Sequence, residues 1–266
     1  MLIVGERLNT SRKAVAAWVT SRDAAAVSAE ARRQVEAGAD CIDVNAGTAL
    51  GQEPEALRWL VTVVQGAVEA PLCLDSANPA AIREALSAHR GKALINSITG
   101  ERARFEGLLP LVKEHGCGVV ALCMDEAGLP ASAQDAVAKG SRLVERLLSE
   151  GVPPSDIYVD PLVRPISVDP VAGPSVLEAI RALKQRFPGV RTICGLTNVS
   201  FGLPLRRLLN RAFLVAAMAA GLDAAILDPL DARLMALMRA AEAVLGLDRH
   251  CARYLKAYRA GRLGEE

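Results

Sequence analysis

Seven short apolar segments of this chain each end near a residue that carries a carboxylate or a carboxamide. These residues are Glu6, Asn45, Asp75, Asn96, Asp160, Asn198 and Asp228. Any one of them alone is typical of a helix cap or a turn, because Asp and Asn side chains bond readily to nearby backbone. Their repetition after seven separate segments favours a shared ligand site.

Side chains of this kind suit a flat heterocycle. A carboxylate accepts hydrogen bonds from adjacent ring N–H and amino groups, whereas a carboxamide donates and accepts at once. The aminopyrimidinone edge of a pterin presents that pattern. The sequence contains no Cys and His spacing typical of a metal site, no Ser-His-Asp arrangement and no glycine-rich phosphate loop. No metal is therefore predicted.

The apolar segments alternate with amphipathic helical segments along the whole chain. Strands are predicted at 2–6, 41–45, 72–75, 93–96, 119–124, 157–160, from 192 and at 224–228. Helices are predicted at 25–37, from Glu53-Pro54, from Asn78-Pro79, at 101–115, 132–150 and 175–187, from Pro204 and at 232–245.

Eight such units predict an α/β fold, a (β/α)8 TIM barrel formed by one domain over 1–266. The carboxyl ends of the strands form the working face of this fold, so the polar end residues should meet at one mouth. Strand five contributes none of them, unless Asp125 in the following loop serves.

Composition limits the classes of function. The chain has 266 residues, 51% of them hydrophobic, which is enough for one large core. A net charge of +1 and 3% aromatic residues argue against a nucleic-acid surface. No run of eighteen apolar residues and no signal-peptide core occur, so we expect a cytoplasmic protein without a membrane span. The six cysteines lack a C-x-x-C pair and are expected to be reduced core residues.

Several sequence motifs resemble those of one enzyme family and follow one another in the same order along the chain. They are Gly5-Glu6-Arg7-Leu8-Asn9, Asp43-Val-Asn45, Cys73-Leu-Asp75-Ser76, Ile95-Asn96-Ser97, Tyr158-Val-Asp160-Pro161-Leu162, Gly195-Leu-Thr-Asn198-Val-Ser200 and Leu209-Asn210-Arg211. Together they resemble the methyltetrahydrofolate:corrinoid/iron–sulfur protein methyltransferases, and they are similar to the folate domain of cobalamin-dependent methionine synthase. The resemblance implies a homodimeric, pterin-binding TIM barrel. Such a barrel moves a methyl group between N5 of 5-methyltetrahydrofolate and the cobalt of cobalamin or another corrinoid, which a separate partner protein carries.

The resemblance also implies residue roles. Asp75, Asn96 and Asp160 would hold the pterin edge, Asn198 would hydrogen-bond near N5, and Arg206 matches a family arginine at the mouth. Asn198 and Asp160 are the predicted catalytic pair, and Glu6, Asn45 and Asp228 complete the predicted substrate-binding set. The segment from Phe201 to Pro204 is closer to the methionine synthase form than to the more polar acetogenic form, which leaves the corrinoid partner open.

Two other functions remain open from the sequence. A dihydropteroate synthase-like enzyme is one, although strand eight ends in Leu227-Asp228-Pro229 without the Arg-x-His of that family. A non-catalytic folate-binding subunit is the other. The arginines at 206, 207 and 211 could steer an acidic partner or the folate tail, or could form a solvated helix face.

Overall fold

Eight parallel strands form a closed barrel in chain order, and β1 pairs with both β2 and β8. The strands are β1 (Leu2–Asn9), β2 (Cys41–Asn45), β3 (Leu72–Asp75), β4 (Leu94–Ile98), β5 (Gly118–Leu122), β6 (Ile157–Asp160), β7 (Arg191–Gly195) and β8 (Ala224–Leu227). The computed structural model describes residues 1–49 and 51–264. The predicted (β/α)8 TIM barrel is confirmed. The single domain over 1–266 stays a prediction, and residues 50, 265 and 266 lie outside the described residues.

Ten helices of the described residues surround the barrel or extend its last unit. They are α1 (Lys13–Thr20), α2 (Ala24–Glu36), α3 (Glu53–Ala67), α4 (Pro79–Ala88), α5 (Arg102–His115), α6 (Ala133–Ser149), α7 (Ala172–Arg186), α8 (Arg206–Ala220), α9 (Ala232–Val244) and α10 (Ala252–Arg259). None of the described helices is long and apolar enough to cross a membrane.

The local signals in the sequence explain most helix boundaries. The Asn78 side chain accepts a hydrogen bond from the Ala80 N–H, and Pro79 takes the first helical position, as predicted. Ser132 caps α6 in the same way, and Gly116 ends α5 in the left-handed conformation. The helices that pack on the barrel bury one apolar face against the sheet, as the predicted stripe of Leu57, Leu60, Val61 and Val64 does on α3.

Several predicted boundaries were wrong. The first strand runs on to Asn9 through an irregularity after Gly5, and β4 runs on to Ile98. Pro204 does not open α8: it lies in a turn, and Leu205 takes the left-handed conformation at the N-cap before the helix begins at Arg206. Helices α1 and α10 were missed, because eight residues with two or no buried side chains give too short an apolar periodicity to detect.

The cysteines are all free, as predicted for a reduced chain. Five of them are buried, and each of these five lies in or beside a strand and packs in a hydrophobic core cluster. Cys251 contradicts the core prediction, because it lies exposed at the start of α10. It belongs to the loosely packed last segment, which has no buried residue for a small apolar side chain to join.

Two glycines within helices give a test of how tightly the helices pack on the sheet. A Cβ atom on Gly140 of α6 would lie 2.6 Å from the Cys123 sulfur, whereas one on Gly66 of α3 would meet nothing within 4 Å. We expect Gly140→Ala to lower the free energy of unfolding by about 1–3 kcal/mol through overpacking. Gly66→Ala should raise it by about 0.5–1 kcal/mol, because alanine loses less backbone entropy. Urea unfolding of both variants measures the difference, and equal stability would contradict the close packing of α6.

Candidate functional site

A cavity of about 700 Å³ opens at the carboxyl ends of the strands. Every predicted site residue except Asn45 lines it. These lining residues are Glu6, Asp75, Asn96, Asp160, Asn198, Arg206 and Asp228. The structure therefore brings together side chains that are separated by up to 222 positions in the sequence, as the barrel topology requires. Strand five contributes nothing to the cavity, because Asp125 pairs instead with Lys139 and Arg142 outside it.

The floor of the cavity follows from the two-residue alternation of a strand. An apolar layer closes the barrel below the cavity and consists of Val4, Cys41, Cys73, Leu94, Val120, Tyr158, Ile193 and Ala224. Side chains two residues further along a strand face the same side of the sheet. On five strands that next inward position is polar. We call these residues the polar layer: Glu6, Asp43, Asp75, Asn96 and Asp160.

Asp43 is the site residue that the sequence analysis missed. The strand-end rule predicted Asn45, the last residue of β2, as the site residue, but Asp43 is the one that lines the cavity. Its side chain is 2% exposed, and its Oδ1 atom has no hydrogen-bond partner among the described residues. The signal was present in the alternation, since Asp43 follows Cys41 of the apolar layer by two positions as Asp75 follows Cys73.

Asn45 holds Asp75 in place rather than facing the cavity. Its Nδ2 donates to the Asp75 Oδ2 at 3.0 Å and to the Asp75 backbone carbonyl at 3.1 Å. The amide oxygen in turn accepts from the Thr10 hydroxyl and the Gly47 N–H. Because both ends of the carboxamide are fixed, Asp75 keeps one carboxylate orientation at the cavity wall.

Burial sets the charge of the polar layer. Loss of solvation raises the pKa of Asp160 to about 7, although backbone N–H groups of Leu162 and Gly195 oppose the shift. Burial likewise raises the pKa of Asp75 to about 6, against the hydrogen bond from Asn45. The pKa of Asp43 lies well above its usual range through burial and the nearby Asp75 charge. At neutral pH the layer therefore mixes neutral carboxyl groups, which can donate, with carboxylates, which accept.

Asn198 lies beyond the end of β7 rather than at it. The strand ends at Gly195, and Asn198 belongs to a 3-10 turn over Leu196–Ser200. Gly195 leaves the room this turn needs, because a Cβ atom there would lie 2.9 Å from the Asn198 Nδ2. The Asn198 side chain is exposed within the cavity, so its amide remains available to a ligand.

Three contacts of its neighbours hold the Asn198 turn. The Thr197 hydroxyl donates to Glu6 Oε2 at 2.8 Å, which ties the turn to β1. The Arg206 guanidinium donates to the Thr197 carbonyl at 2.8 Å and to the Ser200 hydroxyl at 3.0 Å. Burial raises the pKa of Glu6, while the Thr197 hydrogen bond and the charge of Arg12 lower it. Glu6 and Arg206 thus hold the turn that carries Asn198.

The rim of the cavity carries further charged groups. Arg7 donates to Asp228 Oδ2 at 2.8 Å, and Arg211 pairs with Asp231 at 2.6 Å. Arg207 is exposed at the rim and forms no ion pair with the described residues. The three arginines singled out from the sequence therefore have different surroundings. Arg206 supports the Asn198 turn, Arg211 is paired with Asp231, and Arg207 faces solvent.

The site as a whole fits a flat polar ring better than it fits a metal. In the described ranges, no group of three or more His, Cys, Asp or Glu side chains could hold a metal ion. The carboxyl and carboxamide groups of the polar layer line a cavity of about 700 Å³ and match alternating donors and acceptors on a heterocycle.

Comparisons with known proteins agree with this geometry. The profile of the family described as pterin binding enzyme matches residues 5–228. The methylcorrinoid:tetrahydrofolate methyltransferase of Eubacterium limosum is 36% identical over 266 residues, covering 99% of this chain and 98% of that protein. The methionine synthase of Mycobacterium tuberculosis is 34% identical over 85% of this chain, which matches 20% of that longer protein.

A solved structure gives the same fold. The dihydropteroate synthase of Xanthomonas albilineans, in complex with 7,8-dihydropteroate, superposes with a TM-score of 0.72 over 93% of each chain. Its identity to this chain is 19%, so the likeness concerns the barrel alone.

Titration of the carboxyl groups in the ligand-free protein tests the electrostatics of the polar layer. Carboxyl-carbon NMR should show one Asp titrating at about pH 7 and one at about pH 6, because burial disfavours their charged forms. The first signal should vanish in Asp160→Asn and the second in Asp75→Asn. Asp125 is the internal control: burial opposes the change, but hydrogen bonds from Arg142 and Lys139 lower its pKa below 3.8.

The raised pKa of Asp160 also determines how the free energy of unfolding depends on pH. The folded protein keeps the Asp160 proton up to about pH 7, whereas the unfolded chain releases it near 3.8. The contribution of this group to the free energy of unfolding should therefore fall as pH rises from about 4 to about 7. Carboxyl groups that all titrate below pH 5 would contradict the account of the layer.

Proposed function

The chain belongs to the pterin-binding enzyme family, and we propose that it transfers a methyl group between N5 of 5-methyltetrahydrofolate and the cobalt of a corrinoid protein. The observation that carries this proposal is the polar layer of Glu6, Asp43, Asp75, Asn96 and Asp160 beneath an open mouth. Full-length similarity to a methylcorrinoid:tetrahydrofolate methyltransferase supports the reaction class. Folate is the small-molecule substrate, and the corrinoid belongs to the partner protein.

The polar layer would hold the pterin by its aminopyrimidinone edge. The ring N–H and the amino group of that edge are adjacent donors, so they suit one ionised carboxylate such as Asp160. Asp75, fixed by Asn45, and Asn96 can complete the contacts to the remaining ring nitrogens and the carbonyl oxygen. Binding of these donors favours the charged form of Asp160 and offsets the cost of its burial.

Catalysis would depend on Asn198 at the reacting nitrogen. As the methyl carbon passes from N5 to the Co(I) of the partner's corrinoid, the electron pair of cobalt forms the new Co–C bond. The N–C bond breaks with its electron pair left on nitrogen, and that nitrogen takes up a proton from water. Asn198 can bond this nitrogen only weakly while it is methylated and more strongly once the pair is free. An interaction that strengthens toward the transition state accelerates the chemical step. The same contacts serve the reverse transfer, since both directions share one transition state.

The two other functions left open by the sequence have less support. A dihydropteroate synthase-like reaction has only the barrel in its favour, because the similarity to such an enzyme is at 19% identity. A non-catalytic folate-binding subunit would have no need of a fixed Asn198 turn. In this structure Glu6 and Arg206 both hold Thr197 of that turn, and the Asn198 amide stays exposed to the cavity.

We propose a homodimer in the cytoplasm that meets a separate corrinoid protein at the open mouth. Free cysteines, five of them buried, suit a reducing compartment. Arg207 is exposed at the rim, where a positive charge can steer an acidic partner.

Two variants separate catalysis from binding. Asn198→Ala should lower kcat and kcat/KM by about 100-fold, in the range seen when one preorganised hydrogen-bonding group is lost. Asp160→Ala should weaken 5-methyltetrahydrofolate binding by about 1.5–3 kcal/mol, because it removes an acceptor that carries charge. Single-turnover methyl transfer to free cob(I)alamin and calorimetry of folate binding measure the two effects.

Asp125→Ala is the matched control, since Asp125 lies on the same face of the barrel but outside the cavity. Thermal unfolding should show that all three variants fold. If Asn198→Ala binds folate poorly yet transfers methyl normally at saturation, Asn198 is a binding residue only. An unmutated enzyme that binds folate but transfers no methyl to cob(I)alamin would overturn the proposed reaction.

A further inference from the structure

A second cavity, of about 720 Å³, lies on the outer wall of the barrel, where the first and last units of the chain meet. Elsewhere on this wall neighbouring helices pack side by side, as α2 does on α3 and α8 does on α9. Helices α2 and α9 do not pack in this way, and α10, which packs on α9, covers the space between them. Among the described residues, none lines both this cavity and the one at the strand ends.

The face of α10 that lines the second cavity is small and basic. Its lining residues lie at i, i+3, i+4 and i+7, which places them on one side of the helix. They are Arg253, Lys256, Ala257 and Ala260. A surface helix normally turns its large apolar residues toward the body of the protein. On α10 the large residues Leu255 and Tyr258 are instead 44% and 70% exposed, so the helix stands over open space without filling it.

The walls that the barrel contributes to the second cavity are mostly apolar. Leu230, in the loop after β8, and Met235 of α9 line it, and Met235 is only 9% exposed. Gly38, just beyond α2, adds no side chain at this point, and a Cβ atom on it would lie 3.2 Å from the Met235 methyl carbon. The flexible Met235 side chain therefore keeps room to adapt to an apolar body.

The charged side chains around the second cavity are mainly positive. They are Glu36, Arg239, Arg253, Lys256 and Arg262. Two of the four cations are already paired, because Arg239 lies 3.0 Å and Arg253 lies 3.5 Å from carboxylate oxygens of the buried Glu242. Lys256 and Arg262 form no ion pair with the described residues. The cavity therefore combines apolar walls with an excess of positive charge.

We infer that this second cavity is a binding site for a small amphipathic anion, a molecule with an apolar body and one anionic head. Its volume lies within the roughly 300–1,000 Å³ of small-molecule sites, which combine apolar walls with a few polar groups that fix orientation. The apolar body would lie against Leu230 and Met235. The head would accept charge-assisted hydrogen bonds from Lys256 and Arg262.

The loop after β8 and the start of α9 separate the two cavities. Asp228, Asp231 and Leu234 line the cavity at the strand ends, whereas Leu230 and Met235 line the second one. An anion bound in the second cavity would therefore leave the proposed folate site unoccupied, and both molecules should bind at the same time.

Fluorescence titration of the full chain with anilinonaphthalene sulfonate tests the site. This probe has an aromatic body and one sulfonate, and phenylnaphthylamine is the same body without the charge. The sulfonate probe should bind about tenfold more tightly, because only it gains charge-assisted hydrogen bonds. Replacing both cations, Lys256→Ala with Arg262→Ala, should weaken the sulfonate probe about tenfold and leave the neutral probe unchanged.

The matched control is Arg249→Ala with Arg259→Ala. This pair also removes two exposed positive charges from the last segment of the chain, but neither residue lines the cavity. Its affinity for the sulfonate probe should equal that of the unmutated protein. Ala257→Trp tests the location directly, because the indole would fill the cavity from α10 and should exclude both probes.

The substitutions lie on or beside α10, which has no buried residue, so each variant should fold, as circular dichroism checks. Adding 5-methyltetrahydrofolate should leave the affinity for the sulfonate probe unchanged. The site would be overturned if this probe did not bind, bound no better than the neutral one, or was displaced by folate. Equal weakening by the control pair, or normal binding by Ala257→Trp, would also overturn it. None of these measurements uses methyl transfer, so a failure of the proposed reaction would leave the site in place.

Discussion

The removal of carboxyl groups from water inside a closed barrel is the constraint on which the rest of this structure depends. Asp43, Asp75 and Asp160 face inward between an apolar floor and an open mouth, where their charged forms are poorly solvated. An unpaired buried carboxylate costs several kcal/mol, so the folded chain keeps part of the layer protonated. A ligand that brought matching donors would remove this penalty, so in the proposed function the layer would convert a cost of folding into affinity for the pterin.

The surrounding structure keeps these groups fixed until a ligand arrives. Asn45 orients Asp75 from the next strand, and backbone N–H groups orient Asp160. The Asn198 turn is attached to β1 through Glu6 and to α8 through Arg206.

The barrel and most of its site could be predicted from the sequence because both follow local rules. Short apolar segments that alternate with amphipathic helices predicted the topology, and strand-end position predicted that Asp75, Asn96, Asp160 and Asp228 would meet. The missed residue, Asp43, shows the limit of that rule, since the inward direction is set by alternation and not by where a strand ends.

Other differences come from tertiary contacts that the sequence does not display. The turn after Gly195 moves Asn198 away from the strand end, because Glu6 and Arg206 hold Thr197 from distant parts of the chain. Pro204 was assigned to α8 from its local preference, but Leu205 adopts a left-handed N-cap and delays the helix. The distinct states of Arg206, Arg207 and Arg211 likewise depend on partners that folding brings near.

Proton release on folate binding tests the central claim, that a buried and partly protonated carboxyl layer receives the pterin. At pH 7 Asp160 is about half protonated in the empty protein, and an N–H donor should ionise it. Calorimetry in buffers with different ionisation enthalpies should show that 5-methyltetrahydrofolate releases roughly half a proton at pH 7, and less at pH 9. The release should disappear in Asp160→Asn. Tight binding with an enthalpy independent of the buffer at pH 7 would contradict the account.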